Sequence, residues 1–388
     1  MTEDARHILI VLESWGEGGT ESFVRQLVEW LTENTDARIS VCLLKADTTA
    51  RQAAVQALPI AERNVHVLGA SNAVSVFLRF LRLLHWLRPD VCHLHLYSSL
   101  LPAVVASRYA RAPRIVTSLH MPLWNWSLRH RLAWRLAIAL SHQITGNSSA
   151  TLRSAGRLPG SKDADLVSPP LPRELLHASS RAIGSHDVQA NDSSWTIVGI
   201  GRLSREKCWD TLLRALHLLE MDNPGAWRLR LFGDGLERES LGRLAESLGI
   251  TTIVRFEGFL PFDQLVDTLV DCDISVLPSR FEGLGMAAIE AMALGIPTVT
   301  ADFEASADFI QQGVTGHTFP RGDAVALARV LGWHRENPDR VTLVAENGRR
   351  LVHERFRPDV VFRPIIGAYG LNDLLDNGRH RSLGTGKG

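Results

Sequence analysis

The chain of 388 residues is longer than one hydrophobic core usually serves, which predicts two domains of ordinary size. Its 45% hydrophobic and 22% charged residues are typical of a soluble globular protein. The formal charges cancel, but residues 64–162 hold twelve Lys and Arg against one acid, so this segment carries +11. Such asymmetry predicts an anionic partner for one face, whether a membrane surface, a phosphorylated lipid or a nucleic acid.

The cysteines and the apolar runs bear on where the protein works. The four cysteines lie far apart and form no CxxC pair, which argues against a zinc site or a disulfide framework and favours a reducing cytosol. The N-terminus lacks the basic start and long apolar core of a signal peptide, and no apolar run approaches the ~18 residues of a membrane span. We therefore expect a cytoplasmic protein.

Short apolar runs alternate with helical patterns along the chain. HILIVL precedes the amphipathic pattern TESFVRQLVEWLTEN, and RISVCLL, VCHLHLY, RIVTSLH and HQITGN continue the alternation. After a stretch rich in Pro and Ser, the alternation restarts at WTIVGIG and continues through ISVLPS and PTVTAD. This order predicts βα units, and therefore an α/β fold of two doubly wound, Rossmann-like domains that face each other across a cleft.

The predicted domain limits follow from where the alternation lapses. We expect an N-terminal domain over residues 1–175, a linker over 176–194 and a C-terminal domain over 195–362. A short helix over roughly 363–378 is expected to pack back onto the N-terminal domain.

Glycines crowd the turn between the first strand and the first helix. In WGEGGTESF, Gly16, Gly18 and Gly19 would let backbone amides approach an anion at the helix N-terminus. The spacing is not the GxGxxG dinucleotide fingerprint, and glycine turns without a ligand are common after strands. An anion site and an ordinary turn therefore both remain open at this point.

The second half offers two cations on one predicted loop between a strand and a helix. In GIGRLSREKCWD, Arg202 and Lys207 lie five residues apart. Arginine binds a diphosphate through its planar fork and lysine binds it as a mobile point charge, so the pair predicts a phosphate site. The alternative is two solvated surface charges.

Two glutamates stand out in SRFEGLGMAAIEAMALGIP. Gly283 and Gly285 would bring backbone amides to the start of a predicted helix, which suits phosphate, while Glu282 lies on the loop where sugar hydroxyls would bind. Glu290 lies in the apolar surroundings of the helix, where an unpaired charge is costly. We therefore expect Glu290 to be paired or to bind a ligand hydroxyl.

Together these motifs resemble glycosyltransferase family 4 (glycosyltransferases group 1), which are retaining enzymes of the GT-B fold. The resemblance depends on the spacing of Glu282 and Glu290, on the Leu-Pro-Ser before them and on the segment ALGIPTV after them. The GRLSREK and GGTES loops also occur in the order that the family shows. It covers both halves of the chain, from about Ile8 to His353.

The resemblance implies a role for each matching residue of the second half. Arg202 and Lys207 match the basic pair on the donor diphosphate. Glu290 matches the glutamate that binds the nucleotide ribose, and Glu282 matches the residue that contacts the hydroxyls of the donor sugar.

In the first half, the resemblance implies that Gly18 and Gly19 approach the phosphate and the acceptor. It also implies that His120, which ends RIVTSLH, lies near the reacting centre, although a lone histidine that ends a strand is more often structural. The implied catalytic residues are His120, Arg202, Lys207 and Glu282, and the implied donor-binding residues are Gly18, Gly19, Arg202, Lys207, Glu282, Gly283, Leu284, Gly285 and Glu290.

The sequence departs from the family pattern in three places. FEASADFIQQGVTG lacks a glycine pair and has Asp308 where a glutamate is expected, SPPLP replaces an Asn-Gly, and Cys208 replaces a glycine after Lys207. These departures leave the identity of the donor sugar more open than the fold.

Catalysis by such an enzyme requires that the charge of the departing diphosphate is stabilised and the acceptor hydroxyl is held close. Arg202, Lys207 and the helix start at Gly285 would stabilise the charge, so we expect no metal and no other cofactor. DCD, at 271–273, spells a metal-binding Asp-x-Asp, yet it precedes the strand ISVLPS and matches the family's aspartate before that strand. The resemblance implies retention of anomeric configuration, through front-face attack or through Glu282 as a covalent nucleophile.

The basic segment over 121–142 bears on the acceptor. MPLWNWSLRHRLAWRLAIALSH interleaves three tryptophans with three arginines and contains no acid. The pattern suits an anionic membrane surface or a lipid-linked acceptor, and it equally suits an ordinary amphipathic helix with Leu and Trp in the core and Arg in water. No recognised nucleic-acid motif is present, so we expect no nucleic-acid partner.

These observations predict a retaining, metal-independent glycosyltransferase. It would move a hexose or N-acetylhexosamine from a nucleotide diphosphate, UDP before GDP, to a glycan or lipid-linked glycan in bacterial-type polysaccharide, lipopolysaccharide or glycolipid synthesis. It would work in the cytoplasm, peripherally on the inner face of the membrane. Two alternatives remain: a GT-B sugar-nucleotide epimerase, and a non-catalytic GT-B regulator that binds nucleotide or carbohydrate.

Overall fold

The computed structural model describes residues 5–16, 18–95, 98–157, 160, 163–176, 194–260, 262–269 and 272–371. The chain divides into two compact units. The first takes the residues up to Pro170 and those from Pro358 onward, and the second runs from Leu171 to Arg357. Each is built on one parallel sheet.

The first unit contains a seven-stranded sheet. Its strands are β1 (His7–Leu12), β2 (Arg38–Leu43), β3 (Val65–Val67), β4 (Val91–His95), β5 (Arg114–Leu119), β6 (Gln143–Gly146) and β7 (Ala164–Leu166). They pair in parallel in the order β3-β2-β1-β4-β5-β6-β7. The helices between them are α1 (Gly19–Asn34), α2 (Thr48–Ala57), α3 (Ala73–Leu87), α4 (Leu100–Tyr109), α5 (Leu128–Leu140) and α6 (Ser149–Ser154).

The second unit contains a six-stranded sheet. Its strands are β8 (Trp195–Ile200), β9 (Trp227–Phe232), β10 (Val254–Gly258), β11 (Ile274–Leu277), β12 (Thr298–Ala301) and β13 (His317–Phe319). They pair in parallel in the order β10-β9-β8-β11-β12-β13. Its helices are α7 (Trp209–Asp222), α8 (Arg238–Ser247), α9 (Phe262–Leu269), α10 (Met286–Ala293), α11 (Ala324–Glu336) and α12 (Pro338–Arg355).

The last described helices, α13 (Pro358–Val361) and α14 (Arg363–Tyr369), return to the first unit. Ile365 and Ile366 are fully buried in its core. Arg114 on β5 donates from Nε to the carbonyl of Ala368 at 2.7 Å. These contacts explain why α13 and α14 belong to the first unit although they follow the second unit in the chain.

The units and the predicted domain limits differ by a few residues. Residues 358–362, which the sequence assigned to the C-terminal domain, group with the first unit. Residues 171–175 group with the second, where the amide of Leu171 donates to the carbonyl of Phe356 at 2.7 Å. The predicted linker lies outside the described residues except at its ends, as does the part of the predicted final helix beyond residue 371.

The residues of β1 alternate between two apolar cores. Ile8, Ile10 and Leu12 pack with α1 and α14, whereas Leu9 and Val11 pack with α3, α4 and α5. All five side chains are at most 2% exposed. Burial on both faces explains why these strands appear in the sequence as continuous apolar runs. The two parallel sheets confirm the predicted α/β fold of two Rossmann-like units.

Within the part of the chain that the structure describes, no helix combines the length and the apolar character needed to cross a bilayer.

The start of α7 places a cysteine where the backbone favours glycine. Cys208 has φ 51° and ψ 42°, the left-handed region in which the Cβ of an L-residue approaches the following carbonyl. Its side chain is buried, with Sγ 3.4 Å from the carbonyl oxygen of Arg205. The residue after Lys207 therefore carries a backbone strain that a glycine would not have.

We expect Cys208→Gly to be more stable than Cys208→Ala by about 1 kcal/mol. Both variants lose the thiol, but only alanine keeps a Cβ in the left-handed region. Thermal unfolding followed by circular dichroism measures the difference as a higher midpoint for the glycine variant. A higher midpoint for the alanine variant would show that the turn relaxes into another backbone conformation and stores no strain.

Candidate active site

The strand order of the second unit creates a switch point between β8 and β11. These two strands are neighbours, and the sheet continues to β9 and β10 on one side and to β12 and β13 on the other. Open parallel sheets bind ligands at such a point, beyond the carboxyl ends of the strands. The loop with Arg202 and Lys207 follows β8, and the loop with Glu282 follows β11, so both predicted loops lie at this switch point.

The loop after β8 contacts the loop after β9 beside the switch point, and both loops contain glycine. The amide of Gly201 donates to the carbonyl of Phe232, and the amide of Leu203 to that of Asp234, both at 2.9 Å. Gly233 has φ 128°, and a Cβ at this position would overlap with the carbonyl of Gly201. Glycine alone permits this approach, which holds the backbone after β8 in place.

Lys207 and Glu282 form an ion pair at the centre of the site. Nζ of Lys207 donates to Oε1 of Glu282 at 2.6 Å, and the two side chains are only 18% and 15% exposed. Oγ of Ser279 donates to the same oxygen at 2.6 Å. Partial burial makes this charge-assisted bond stronger than a surface pair. Both bonds use Oε1, so Oε2 of Glu282 accepts none from the described residues.

Glu290 is the second acid of the site. It lies on α10 and is partly buried, and no residue that the structure describes donates a hydrogen bond to its carboxylate. Burial raises the pKa of Glu290 to about 7, while the positive charge of Lys207 opposes that shift. At neutral pH the carboxyl group is therefore poised between its two protonation states. A ligand hydroxyl would satisfy its unpaired oxygens.

The loop between Glu282 and α10 ends in a glycine at the start of the helix. Gly285 caps α10 with φ 102°, and a Cβ there would lie 3.0 Å from Cζ of Phe303. Leu284 is buried, and Gly283 is partly exposed beside it. The amide of Ala288 donates to the carbonyl of Gly285 at 3.0 Å, whereas those of Met286 and Ala287 have no acceptor among the described residues and are available to an anionic ligand.

Arg202 is exposed, and no described acid pairs with its guanidinium. Its carbonyl accepts a hydrogen bond from Nε1 of Trp209 at 3.0 Å, which fixes the backbone that carries it. Burial alone would raise the pKa of Glu206, but the hydrogen bond from Ser204 and the charges of Arg202 and Lys207 lower it overall. Both cations therefore lower the pKa of the same carboxyl group.

The first unit has an equivalent switch point between β1 and β4. Glu13 directly follows β1, and its Oε1 accepts hydrogen bonds from Oγ of Ser98 at 2.9 Å and from the amide of Ser99 at 2.7 Å. Lys45, after β2, donates to Oγ of Ser98 at 2.5 Å. Sequence reasoning missed these residues. The available signal was a charged residue immediately after each apolar run.

His120 directly follows β5 in the same unit and is partly buried. Its Nε2 lies 2.9 Å from Nδ1 of His95, the last residue of β4. The ring of Phe23 on α1 meets His120 edge-on, with centroids 5.5 Å apart. Burial lowers the pKa of His120 to about 4. Gly18 caps α1, and it and Gly19 are exposed, so the predicted glycine loop begins the helix that contacts His120.

The predicted residues therefore fall into two groups. Arg202, Lys207, Glu282 and Glu290 come together around one switch point of the second unit, and Gly283, Leu284 and Gly285 connect them. The remaining three, Gly18, Gly19 and His120, belong to the first unit. Sequence reasoning did not single out His95, although two histidines spaced two apart at the end of VCHLHLY share one face of a strand.

The aspartates of the DCD motif are only partly described. Oδ2 of Asp273 accepts a hydrogen bond from the amide of Thr196 at 2.7 Å, at the start of β8, and Asp271 lies outside the described residues. Asp273 therefore joins two neighbouring strands. Elsewhere in the described chain, no group of three or more His, Cys, Asp or Glu side chains is arranged to hold a metal ion.

Two family models match the chain in succession. Residues 17–167 match the model described as Glycosyltransferase Family 4, and residues 184–351 match the model described as Glycosyl transferases group 1. The first match lies in the first unit, and the second covers all six strands of the second unit.

Among related sequences, the 2-deoxystreptamine N-acetyl-D-glucosaminyltransferase of Streptomyces fradiae is 27% identical over 328 residues, which cover 77% of this chain and 72% of that protein. A D-inositol 3-phosphate glycosyltransferase of Streptomyces scabiei is 36% identical over 148 residues, or 36% of this chain and 33% of that protein. The chain thus spans a third to a half of the length of several relatives.

Solved structures match nearly the whole chain. HepE of Anabaena, in a crystal structure with UDP, has a TM-score of 0.75 at 21% identity, and the match covers 94% of this chain and 99% of that one. The lipopolysaccharide outer core galactosyltransferase WaaB has a TM-score of 0.72 at 19% identity, with 93% and 98% covered. At such identities the likeness is one of fold. Two parallel Rossmann-like sheets with these structural neighbours are the GT-B fold, and since both family models match in order, the chain belongs to glycosyltransferase family 4, group 1.

Proposed function

We propose that this protein transfers a hexose or an N-acetylhexosamine from a UDP-sugar to a lipid-linked glycan, with retention of anomeric configuration and without a metal ion. The observation that carries the proposal is the Lys207–Glu282 pair beside Glu290 at one switch point. The relatives support the class of reaction, because one structural neighbour was crystallised with UDP and another is a lipopolysaccharide galactosyltransferase. Polysaccharide or glycolipid synthesis is the proposed setting.

Each part of the donor has a partner in this arrangement. Lys207 and the exposed Arg202 bind the diphosphate together with the first amides of α10. Oε2 of Glu282 accepts no bond from the described residues and takes a hydroxyl of the sugar. The carboxylate of Glu290 takes a hydroxyl of the ribose, which satisfies a group that is otherwise unpaired.

The reaction we propose is a front-face substitution. The bond between the anomeric carbon and the diphosphate oxygen breaks, the acceptor oxygen bonds to that carbon from the same face, and the departing phosphate takes the acceptor's proton. Arg202 and Lys207 stabilise the charge on the leaving group, a task that a metal ion would otherwise perform. The ion pair with Lys207 and the bond from Ser279 stabilise the negative charge of the Glu282 carboxylate as a whole, which makes it a weaker covalent nucleophile.

We expect UDP to raise the midpoint of thermal unfolding of the wild type, with or without EDTA, and Lys207→Ala to lose this response. A ligand at a hundredfold above its dissociation constant stabilises the native state by about 2.7 kcal/mol, which is a measurable shift. GDP and ADP are compared at the same concentrations. If none of the three nucleotides shifts the wild type, the proposed donor site is wrong.

The matched control for Lys207→Ala is Arg205→Ala, which removes a cation from the same turn. The Arg205 side chain is 91% exposed, and among the described residues it pairs with Glu237 alone, at 3.4 Å. We expect this variant to respond to UDP as the wild type does. Incubation with a UDP-sugar and a lipid-linked acceptor then separates a transferase from an epimerase, because an epimerase would convert the sugar nucleotide without any acceptor.

We expect Glu290→Gln to weaken binding of a UDP-sugar above pH 7 and to remove the pH dependence that the wild type shows below it. The pKa of Glu290 is about 7, and the ionised form is the better hydroxyl acceptor, so wild-type affinity should fall by up to about tenfold per pH unit below 7. Isothermal titration with a UDP-sugar is suitable, because its diphosphate has no terminal phosphate that titrates near neutrality.

Glu290→Gln should also stabilise the ligand-free protein at high pH. A raised folded-state pKa means that the wild type loses stability as pH rises from the unfolded value of 4.5 through about 7, and glutamine avoids this loss. The gain at pH 8 should be roughly 1 to 3 kcal/mol, and it should vanish at pH 4. Equal stability of the two proteins at pH 8 would mean that Glu290 is not desolvated in the folded state.

We also propose that the first unit binds an anionic membrane surface through an exposed ridge on α5. Leu128, Leu132 and Leu136, here called the leucine ridge, are 69%, 57% and 52% exposed. Their spacing of four residues aligns them along one face of the helix. Trp134, in contrast, is 2% exposed and lies in the core. The helix therefore buries its tryptophan but presents its leucines to solvent.

The surroundings of the leucine ridge are apolar and cationic. Arg129 and Arg135 are exposed on the same helix. α4 packs against α5 and adds Val105 and Tyr109, which are 37% and 70% exposed. α3 packs against α4 in turn and carries Leu78 and Trp86, which are 58% and 69% exposed. Exposed apolar side chains bordered by cations are complementary to anionic lipid headgroups above an acyl layer.

We expect Leu132→Ser/Leu136→Ser to weaken binding to phosphatidylglycerol-containing vesicles by about tenfold or more, since burial of each leucine contributes ~1.5–3 kcal/mol. Wild-type binding should weaken with salt and be absent on pure phosphatidylcholine. Vesicle co-sedimentation measures both effects. The control is Leu236→Ser, a 99% exposed leucine of the second unit. A wild-type dimer that the double substitution converts to monomer would instead identify the ridge as a self-association surface.

A further inference from the structure

The strand β4 ends with two buried histidines whose hydrogen bonds differ. His93 is bonded at both ring nitrogens, with Nδ1 2.8 Å from Oη of Tyr369 and Nε2 2.7 Å from Oγ of Ser118. His95 is 1% exposed and is bonded at only one. Its Nδ1 lies 2.9 Å from Nε2 of His120, whereas its Nε2 is buried and bonds to none of the residues that the structure describes. This asymmetry restricts where the protons lie.

A hydrogen bond between two neutral imidazole nitrogens holds one proton, so two arrangements are possible. In the first, His95 carries its proton on Nδ1 and donates it to Nε2 of His120. In the second, His120 donates from Nε2, and the proton of His95 lies on its Nε2 as a buried N–H without an acceptor. Buried N–H groups without an acceptor are rare and costly, whereas a buried ring nitrogen without a donor costs less. The first arrangement is therefore favoured.

Both rings are neutral near neutral pH. Burial lowers the pKa of His120 to about 4, and it lowers that of His95 well below the ordinary value, with His93 and His120 adding to the shift. No described residue bonds the other ring nitrogen of His120, Nδ1, and the residue is partly exposed. The carbonyl of His120 accepts a hydrogen bond from Nδ2 of Asn147 at 2.7 Å, which holds the backbone.

We infer that His95 is a positioning residue that holds His120 in its neutral Nδ1–H tautomer, so that His120 presents a hydrogen-bond donor to the substrate. This inference rests on the proposed function, and on the position near the reacting centre that the family resemblance implies for His120. A neutral donor suits a hydroxyl or phosphate oxygen of the reactants. It also agrees with the departing phosphate, and not His120, taking the acceptor's proton.

The tautomer is measurable without activity. The imidazole nitrogens of protein labelled with ¹⁵N-histidine have different chemical shifts when protonated and unprotonated, and His120→Gln identifies the His120 signals by their loss. We expect Nδ1 of His120 to be protonated and Nε2 to be unprotonated. The reverse assignment would overturn the inference. In His95→Leu, we expect the two nitrogens to report a mixture of tautomers.

The kinetic test compares three substitutions of His95. The side-chain nitrogen of asparagine occupies nearly the place of Nδ1, whereas that of glutamine reaches the place of Nε2. We therefore expect His95→Asn to keep most of kcat, and His95→Gln and His95→Leu to lose on the order of tenfold to a hundredfold, as when an outer partner of a functional histidine is removed. The KM for the donor should change little, because the proposed donor-binding cations and carboxylates belong to the second unit, whereas His95 belongs to the first.

These outcomes separate the inference from the function on which it rests. Full activity in His120→Gln would overturn the proposed role of His120 itself, whatever its tautomer. Loss of activity in His120→Gln with full activity in His95→Leu would overturn the positioning role alone. Equal losses in His95→Asn and His95→Leu, with a lowered unfolding midpoint in both, would show that His95 acts through packing rather than through its proton.

Discussion

The ion pair between Lys207 and Glu282 is the contact on which the site of the second unit depends. The two residues lie 75 positions apart in the chain, and they meet because β8 and β11 are neighbours in the sheet. Each side chain is more than four-fifths buried, so loss of either partner would leave the other charge unpaired and destabilise the protein. The pair holds in place the cation that we propose binds phosphate and the carboxylate that we propose binds a sugar hydroxyl, which would lower the cost of organising the site on binding.

At Glu290, in contrast, the cost of burying the charge exceeds the stabilisation that neighbouring residues provide. Its carboxylate has no hydrogen-bond donor among the described residues, and the charge of Lys207 only partly offsets the desolvation that raises its pKa. A group in this state reduces the stability of the free protein at neutral pH. Such groups concentrate at functional sites, where a ligand supplies the missing interaction. The ion pair and the unpaired acid therefore describe one site that is organised but incomplete without its ligand.

In the first unit, the two faces of one sheet are covered in different ways. α1 and the returning helix α14 cover one face with a sealed apolar core, whereas α3, α4 and α5 cover the other and keep large apolar side chains in solvent. The carboxyl edge of the same sheet gathers Glu13, His95 and His120 from three successive neighbours in its strand order. Core, edge and outer surface are thus separated in space, so that stability, the proposed chemistry and the proposed membrane attachment would each depend on different residues.

The sequence by itself determined the α/β class, the pair of doubly wound units and the loops that carry Arg202, Lys207, Glu282 and Glu290, because apolar period and glycine placement are local properties of the chain. Only the tertiary structure decided that Lys207 bonds Glu282, that His95 meets His120 and that the leucines of α5 face solvent while Trp134 does not. Those outcomes depend on which strands become neighbours and on how a helix is rotated against its sheet. Both are settled by packing between distant segments, which no local pattern records.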